Sequence, residues 1–324
     1  MKLKPFLLTP AFRSGKSTPW GGDRLRDLYG KDAPACTGES LEMSVIPGLE
    51  STDAQGTPLS ALIKEYGESL IGTEVRGDFP LLLKLIDAKD KLSVQVHPDD
   101  AYAKAHENKL GKTEAWVILS AAPGAELVYG VKEGTTYDAL QAASLAGEGV
   151  EALLRYVPVK AGDVYYIPAG MVHAIGGGIL LYEIQQSSDV TYRFYDWNRT
   201  DAQGNKRPLH IQQALDVTRF DLQPNAVVPT ALLDDTCQRE QVLDTPYFSL
   251  QRLHDCQNTP FAAEITRFSV LTALEEGAIT MESGEKLSLS AGQSLFIPAL
   301  CESFTLSCGS CLLAAPAHKG EQDS

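Results

Sequence analysis

The sequence predicts an all-β protein of two jelly-roll β-barrels with a small inserted helical region. Three observations carry that prediction. Short runs of β-branched and aromatic residues recur between Gly- and Pro-rich turns, which is the pattern of sandwiches and barrels. One such run, Gly162-Asp163-Val164-Tyr165-Tyr166-Ile167-Pro168-Ala169-Gly170, is followed two residues later by His173, which sets a histidine at a strand start beside a tight turn. The spacing then returns near the C-terminus, where Gly292 stands to Pro298 as Gly162 stands to Pro168, and Leu295-Phe296-Ile297-Pro298 echoes Tyr165-Tyr166-Ile167-Pro168.

At 324 residues the chain is too long for one ordinary barrel and suits two core-bearing units. The first spans residues 1–227, with the helical insertion near 100–155, and the second, degenerate unit spans 228–324. A net charge of −14 excludes the basic footprint that nucleic-acid binding requires, so any anionic ligand must be met by local cations. The N-terminal apolar patch is broken by Pro5 and Pro10 and lacks a signal-peptide core, and no run is long enough to span a membrane. Six scattered cysteines fit thiols in a reducing compartment, so the expected location is cytoplasmic. Cys308 and Cys311 form a C-x-x-C pair, but no second pair lies at a zinc-finger spacing, and they read as incidental.

In chain order, Trp20-Gly21-Gly22-Asp23-Arg24-Leu25 is a Gly-rich turn, and Gly38 to Val45 alternates as an edge strand. Leu59, Leu62, Ile63, Tyr66 and Leu70 fall at helical spacing. The apolar run Leu81 to Ile86, interrupted by Lys84, is a buried strand whose lysine would snorkel outward. A polar turn, Ala88 to Lys91, leads into Leu92 to His97, where Ser93, Gln95 and His97 share one face because side chains alternate across a strand. Pro98-Asp99-Asp100 caps a helix through Glu107. Lys112, Glu114 and Trp116 then share a face of the next strand, and Tyr137 to Arg155 reads as one or two helices. After His173 come the apolar run Ile179 to Ile184 and the strand Thr191 to Trp197, in which Thr191, Arg193 and Tyr195 share a face.

His97, Glu114 and His173, with Gln95 two residues before His97, supply two imidazoles, a carboxylate and an amide oxygen from three strands. That set suits a zinc or iron site with room for a water. Their order, and the Gly-Pro-Gly-His spacing, resemble the cupin signature, with Gln95 in place of its first histidine. Gln95-Val96-His97-Pro98-Asp99-Asp100, Gly111-Lys112-Thr113-Glu114-Ala115-Trp116 and the block from His173 to Arg193 together resemble the type I mannose-6-phosphate isomerases, especially the short bacterial form, over roughly residues 10–220.

The resemblance implies a zinc-dependent aldose–ketose isomerase acting on a small sugar phosphate. It implies one zinc ion on Gln95, His97, Glu114 and His173, a functional lysine at Lys112, an acid at Glu183 and an essential arginine at Arg193. The chemistry asks for such groups, since moving a carbonyl between two carbons needs charge stabilisation at two oxygens and a proton carrier. Glu183, Lys112 and a zinc-bound water are all candidates for that carrier. Arg193 can clamp a phosphate, stabilise developing charge, or merely pair with Asp189 or Glu183. In the second unit Ser303 stands where His173 stands in the first, so that unit is expected to hold no metal. A metal-dependent cupin dioxygenase and a non-catalytic sugar-binding cupin are the alternative readings. The choice between monomer and homodimer stays open.

Overall fold

The structure is a computed structural model that describes residues 2–318 except Ala202, Pro224, Ala226 and Ala263. The first half of the chain runs through β1 (Phe6–Leu8), β2 (Ala11–Ser14), α1 (Arg24–Tyr29), β3 (Thr37–Met43), α2 (Leu59–Tyr66), α3 (Glu68–Ile71), β4 (Leu81–Ala88), β5 (Val94–Val96), α4 (Asp100–Glu107), β6 (Glu114–Ala121), β7 (Glu126–Val131), α5 (Tyr137–Ala146), α6 (Val150–Leu153), β8 (Leu154–Pro158), β9 (Val164–Ile167), β10 (His173–Ile175), β11 (Ile179–Gln186), β12 (Tyr192–Tyr195) and α7 (Ile211–Val217). The second runs through β13 (Thr230–Leu232), β14 (Gln238–Asp244), β15 (Phe248–Phe261), β16 (Ser269–Ala273), β17 (Gly277–Met281), β18 (Lys286–Leu289), β19 (Ser294–Ile297) and β20 (Phe304–Pro316).

These strands form three sheets, and the alternation of side chains stacks them into layers. A six-stranded sheet has the order β2-β3-β4-β11-β6-β9, and a five-stranded sheet the order β12-β5-β10-β7-β8. The rest of the strands, with β1, make a nine-stranded sheet. In β11, Leu180, Tyr182 and Ile184 pack against Phe248, Val270, Phe296 and Leu312 of the nine-stranded sheet. The alternate residues Ile179 and Leu181 face Leu127, Tyr129 and Ile175 of the five-stranded sheet. The outer face of that sheet, with Val94, Val96 and Val128, is covered by Leu140 of α5 and Leu215 of α7. Being covered on both faces, β4 and β11 are buried along their whole lengths.

Of the expected all-β architecture of two jelly-roll barrels, the coarser part holds, a mostly β chain with a few helices, while several boundaries differ. The helical region near 100–155 is divided, because β6 and β7 separate α4 from α5 and α6. α4 begins as expected, with the Asp99 carboxylate accepting a 2.8 Å hydrogen bond from the Tyr102 amide. The helix expected from Leu59 to Leu70 breaks at Gly67, whose φ of 51° ends α2 before α3 restarts. Helix α7 has no side-chain cap and no strong sequence signal. No helix among the described residues is long and apolar enough to cross a membrane.

The echoed turns do correspond. Gly162 and Gly292 have φ of 91° and 81°, and each opens the turn before a four-residue strand, β9 or β19.

Candidate active site

Strands β5, β6 and β10 bring the predicted ligands to one point between the six- and five-stranded sheets. His173 pairs with Gln95 across β10 and β5, and Gln95 pairs in turn with Arg193 of β12. One ligand atom each from His97, Glu114 and His173 lies within 4.8 Å of the others, and all three residues are buried. Glu114 Oε2 is 3.6 Å from His97 Nε2, and Oε1 is 3.3 Å from His173 Nε2.

The tautomers follow from the outer hydrogen bonds. His97 Nδ1 lies 2.9 Å from the Val190 carbonyl, and His173 Nδ1 lies 2.9 Å from the Met171 carbonyl. A carbonyl only accepts, so each Nδ1 carries the proton and each Nε2 presents a lone pair to the centre. Burial holds both imidazoles neutral, pulling His97 well below its ordinary value, with Lys112 adding to the effect, and His173 down to about 4. Burial, followed by the charge of Glu183, pushes the Glu114 carboxyl up to about 7.

The donor set fits a metal ion. Both Glu114 oxygens are buried without an aligned hydrogen bond, although the Lys112 ammonium is 2.8 Å from Oε2 as an ion-pair partner. A buried carboxylate facing two imidazole lone pairs is costly unless cations take it, and Lys112 reaches Oε2 while Oε1 is left facing His173 Nε2 at 3.3 Å. Lys112 is the cation nearest that point, its Nζ lying 3.0 Å from His97 Nε2. Gln95 lies beside the centre, its Nε2 3.4 Å from His173 Nε2.

A cavity of about 130 Å³ lies beside this centre and reaches it through Gln95 and Lys112, while His97, Glu114 and His173 are buried behind its wall. Lys112 and Trp116 line it as expected from their shared face, and Glu183 enters from β11. Glu183 Oε2 accepts from Trp116 Nε1 at 2.9 Å, and Oε1 accepts from Lys84 Nζ at 2.8 Å. Burial alone would raise this carboxyl, but Lys84 and Lys112 hold it down to about 2. Lys84 does not snorkel outward. It stands opposite Glu183 in the β4–β11 register, and its ammonium also lies 3.8 Å from Glu39, which Arg13 binds at 3.1 Å. A single buried strand showed only a stray lysine. The signal was the second stray charge, Glu183, in the other apolar run.

Arg193 faces the cavity together with Thr191, but Tyr195 does not. A bulge between Arg193 and Tyr195 breaks the alternation, so Tyr195 pairs with Val94 and packs on the opposite face of the sheet. Arg193 donates from Nε to Ser93 Oγ at 2.9 Å and pairs with no carboxylate among the described residues. Asp189 is bound by Lys109 at 2.6 Å and Glu183 by Lys84, so the alternative reading of Arg193 as a mere ion-pair partner of either does not hold. Ser93, read from sequence only as sharing a face with Gln95 and His97, also lines the cavity, as does Arg207, which no sequence feature marked.

Fold and site together define a β-sheet protein of the cupin class with a His/Glu/His centre suited to a metal ion. A model of the phosphomannose isomerase type I catalytic domain matches residues 8–116. The mannose-6-phosphate isomerase of Streptococcus mutans is 40% identical over 290 residues, which cover 88% of this chain and 90% of that one. The chain thus belongs to the type I phosphomannose isomerase family. Bacillus subtilis ManA, a mannose-6-phosphate isomerase, is 41% identical over 250 residues, 75% of each chain. The crystal structure of the mannose 6-phosphate isomerase from Bacillus subtilis matches with a TM-score of 0.88 at 33% identity, over 97% of this chain and 99% of that one.

Proposed function

We propose that the chain interconverts mannose 6-phosphate and fructose 6-phosphate, with one zinc ion held by His97, Glu114, His173 and the amide oxygen of Gln95. The observation that carries this reading is the convergence of two Nε2 lone pairs and the buried Glu114 carboxylate beside a cavity that also exposes the Arg193 guanidinium, which has no carboxylate partner among the described residues. Imidazole and carboxylate ligands suit zinc. Gln95 joins them by a half-turn of its amide, which exchanges nitrogen and oxygen beside His173.

When bound, the zinc ion supplies Lewis acidity at the carbonyl and hydroxyl oxygens of the substrate without redox side reactions. Lys112 is better placed than Glu183 to carry the proton between the two carbons. Glu183 is held ionised, with both oxygens engaged by Lys84 and Trp116, and is therefore a weak base. Its task is to hold Lys84 in the wall of the cavity. Arg193, fixed by Ser93, meets the negative charge that develops on the substrate oxygens. Trp20, Trp116, Leu92 and Ile175 supply the apolar part of an otherwise polar lining.

The two-barrel reading belongs to the same proposal. Residues 1–227 make the catalytic jelly-roll unit and residues 228–324 the degenerate one, supported by the paired turns before β9 and β19 and by a separate apolar core around Leu253, Leu271 and Phe304. β1 lends its edge to the second unit by pairing with β19. A cytoplasmic setting suits the six free cysteines.

A coupled assay for fructose 6-phosphate formed from mannose 6-phosphate tests the activity. Purified protein should carry about one zinc ion per chain, and chelation should abolish turnover that zinc restores. His97→Ala should lose both the ion and activity. Full turnover by the chelated protein would sink the zinc assignment.

A further inference from the structure

We propose that Arg207 is a specificity-determining residue that recognises the substrate's phosphate beside Arg193, an assignment that rests on the isomerase reading above. Five cations line the cavity: Arg13, Lys84, Lys112, Arg193 and Arg207. Three of them are already balanced. Arg13 and Lys84 are matched by Glu39 and Glu183, and Lys112 faces Glu114. Arg193 has no carboxylate partner among the described residues. Arg207 shares the buried Asp196 carboxylate with Arg199, so two guanidiniums sit on one anion. Arg199 already balances Asp196, so Arg193 and Arg207 bring a surplus of two positive charges to the cavity wall. In a chain of net charge −14, that surplus matches a phosphate monoester near its dianionic form.

Position agrees with charge. Arg193 lies two strands from His173, through Gln95. Arg207 arrives from the segment beyond β12. The reacting C1 and C2 must lie at the ligand end, where Arg193 stands next to Gln95, so the phosphate on C6 lies farther off, on the side of Arg207. Arg207 is also set in place before substrate arrives, because Nε and Nη2 bind Asp196 at 2.7 and 2.6 Å. An arginine has five N–H donors, so others remain for a phosphate oxygen. The His210 amide donates to the Arg193 carbonyl at 2.7 Å, which ties the end of that segment back to β12.

Kinetics and calorimetry on the zinc-loaded full chain test the assignment. Arg207→Ala should raise KM for mannose 6-phosphate by about tenfold or more, leave kcat within about twofold, and weaken binding of inorganic phosphate by a similar factor. Arg207→Lys keeps Asp196 balanced, so it covers the case in which the alanine variant fails to fold. Lacking the planar fork, it should still raise KM several-fold. Wild-type KM and phosphate affinity in either folded variant overturn the proposal, as does a loss confined to kcat. A wild-type chain that binds phosphate but does not turn over mannose 6-phosphate removes the isomerase reading instead, and phosphate calorimetry still decides the role of Arg207.

Discussion

Each imidazole at the centre is neutral and held in one tautomer by a backbone carbonyl, so at the proposed zinc site protonation of the carboxylate decides when an ion can bind. Glu114 is pushed up to about 7 and His173 down to about 4, both chiefly by burial. In the ion-free chain, therefore, zinc binding below pH 7 must displace the Glu114 proton, and below pH 4 the His173 proton as well. Apparent zinc affinity should be nearly flat above about pH 7, fall about tenfold per pH unit below it, and fall more steeply under pH 4. Zinc titration of the stripped protein at fixed pH values measures this, and an affinity independent of pH between 5 and 7 contradicts it. The convergence of these side chains was legible in the sequence because period-two alternation and the turn before His173 suffice to aim them. The partners Lys84, Glu39 and Asp196 were not, since a charge inside an apolar strand acquires its meaning from the strand beside it.

Among the elements, β12 shows what alternation alone misses. An unbroken strand puts Tyr195 with Arg193, whereas the bulge sends Tyr195 into the apolar layer under α5 and α7 and leaves Arg193 aimed at the cavity. Arg193 holds no ion pair there, so its removal should leave zinc content and melting temperature almost unchanged. Arg193→Ala should lower kcat by on the order of a hundredfold, because the group meets charge that develops in the transition state. Lysine should restore only part of the rate, since a point charge lacks the fork. A loss confined to KM makes the arginine a ground-state grip, and normal kinetics in a folded variant take it out of the site. The turns before β9 and β19 were readable from Gly and Pro spacing, which acts locally. Bulges and the break at Gly67 depend on neighbouring strands and helices.

The molecule holds its six-stranded sheet against the nine-stranded sheet with more than apolar contact. Glu42 of β3 is fully buried and pairs with Lys31 at 2.7 Å. Its Oε1 accepts from Ser40 at 2.6 Å, and its Oε2 accepts at 3.2 Å from Ser294 of β19, which also bonds Thr272 of β16 at 2.9 Å. Lys31 donates onward to the Gly292 carbonyl at 2.8 Å, at the echoed turn itself. No stretch of sequence announced this pin, because its members are up to 263 positions apart (294 − 31) and each is an ordinary polar residue alone. Glu42→Ala leaves the Lys31 ammonium buried without its partner, which should cost about 3–5 kcal/mol. That corresponds to a fall in melting temperature on the order of 10 °C. Replacing both charges, as Lys31→Met with Glu42→Leu, removes the buried ion along with its partner and should recover most of the loss. At temperatures where the single variant is still folded, zinc content and KM should match wild type, because the pin lies on the face of the six-stranded sheet turned away from the cavity. Wild-type melting of Glu42→Ala would show that the apolar layer alone holds the two sheets together.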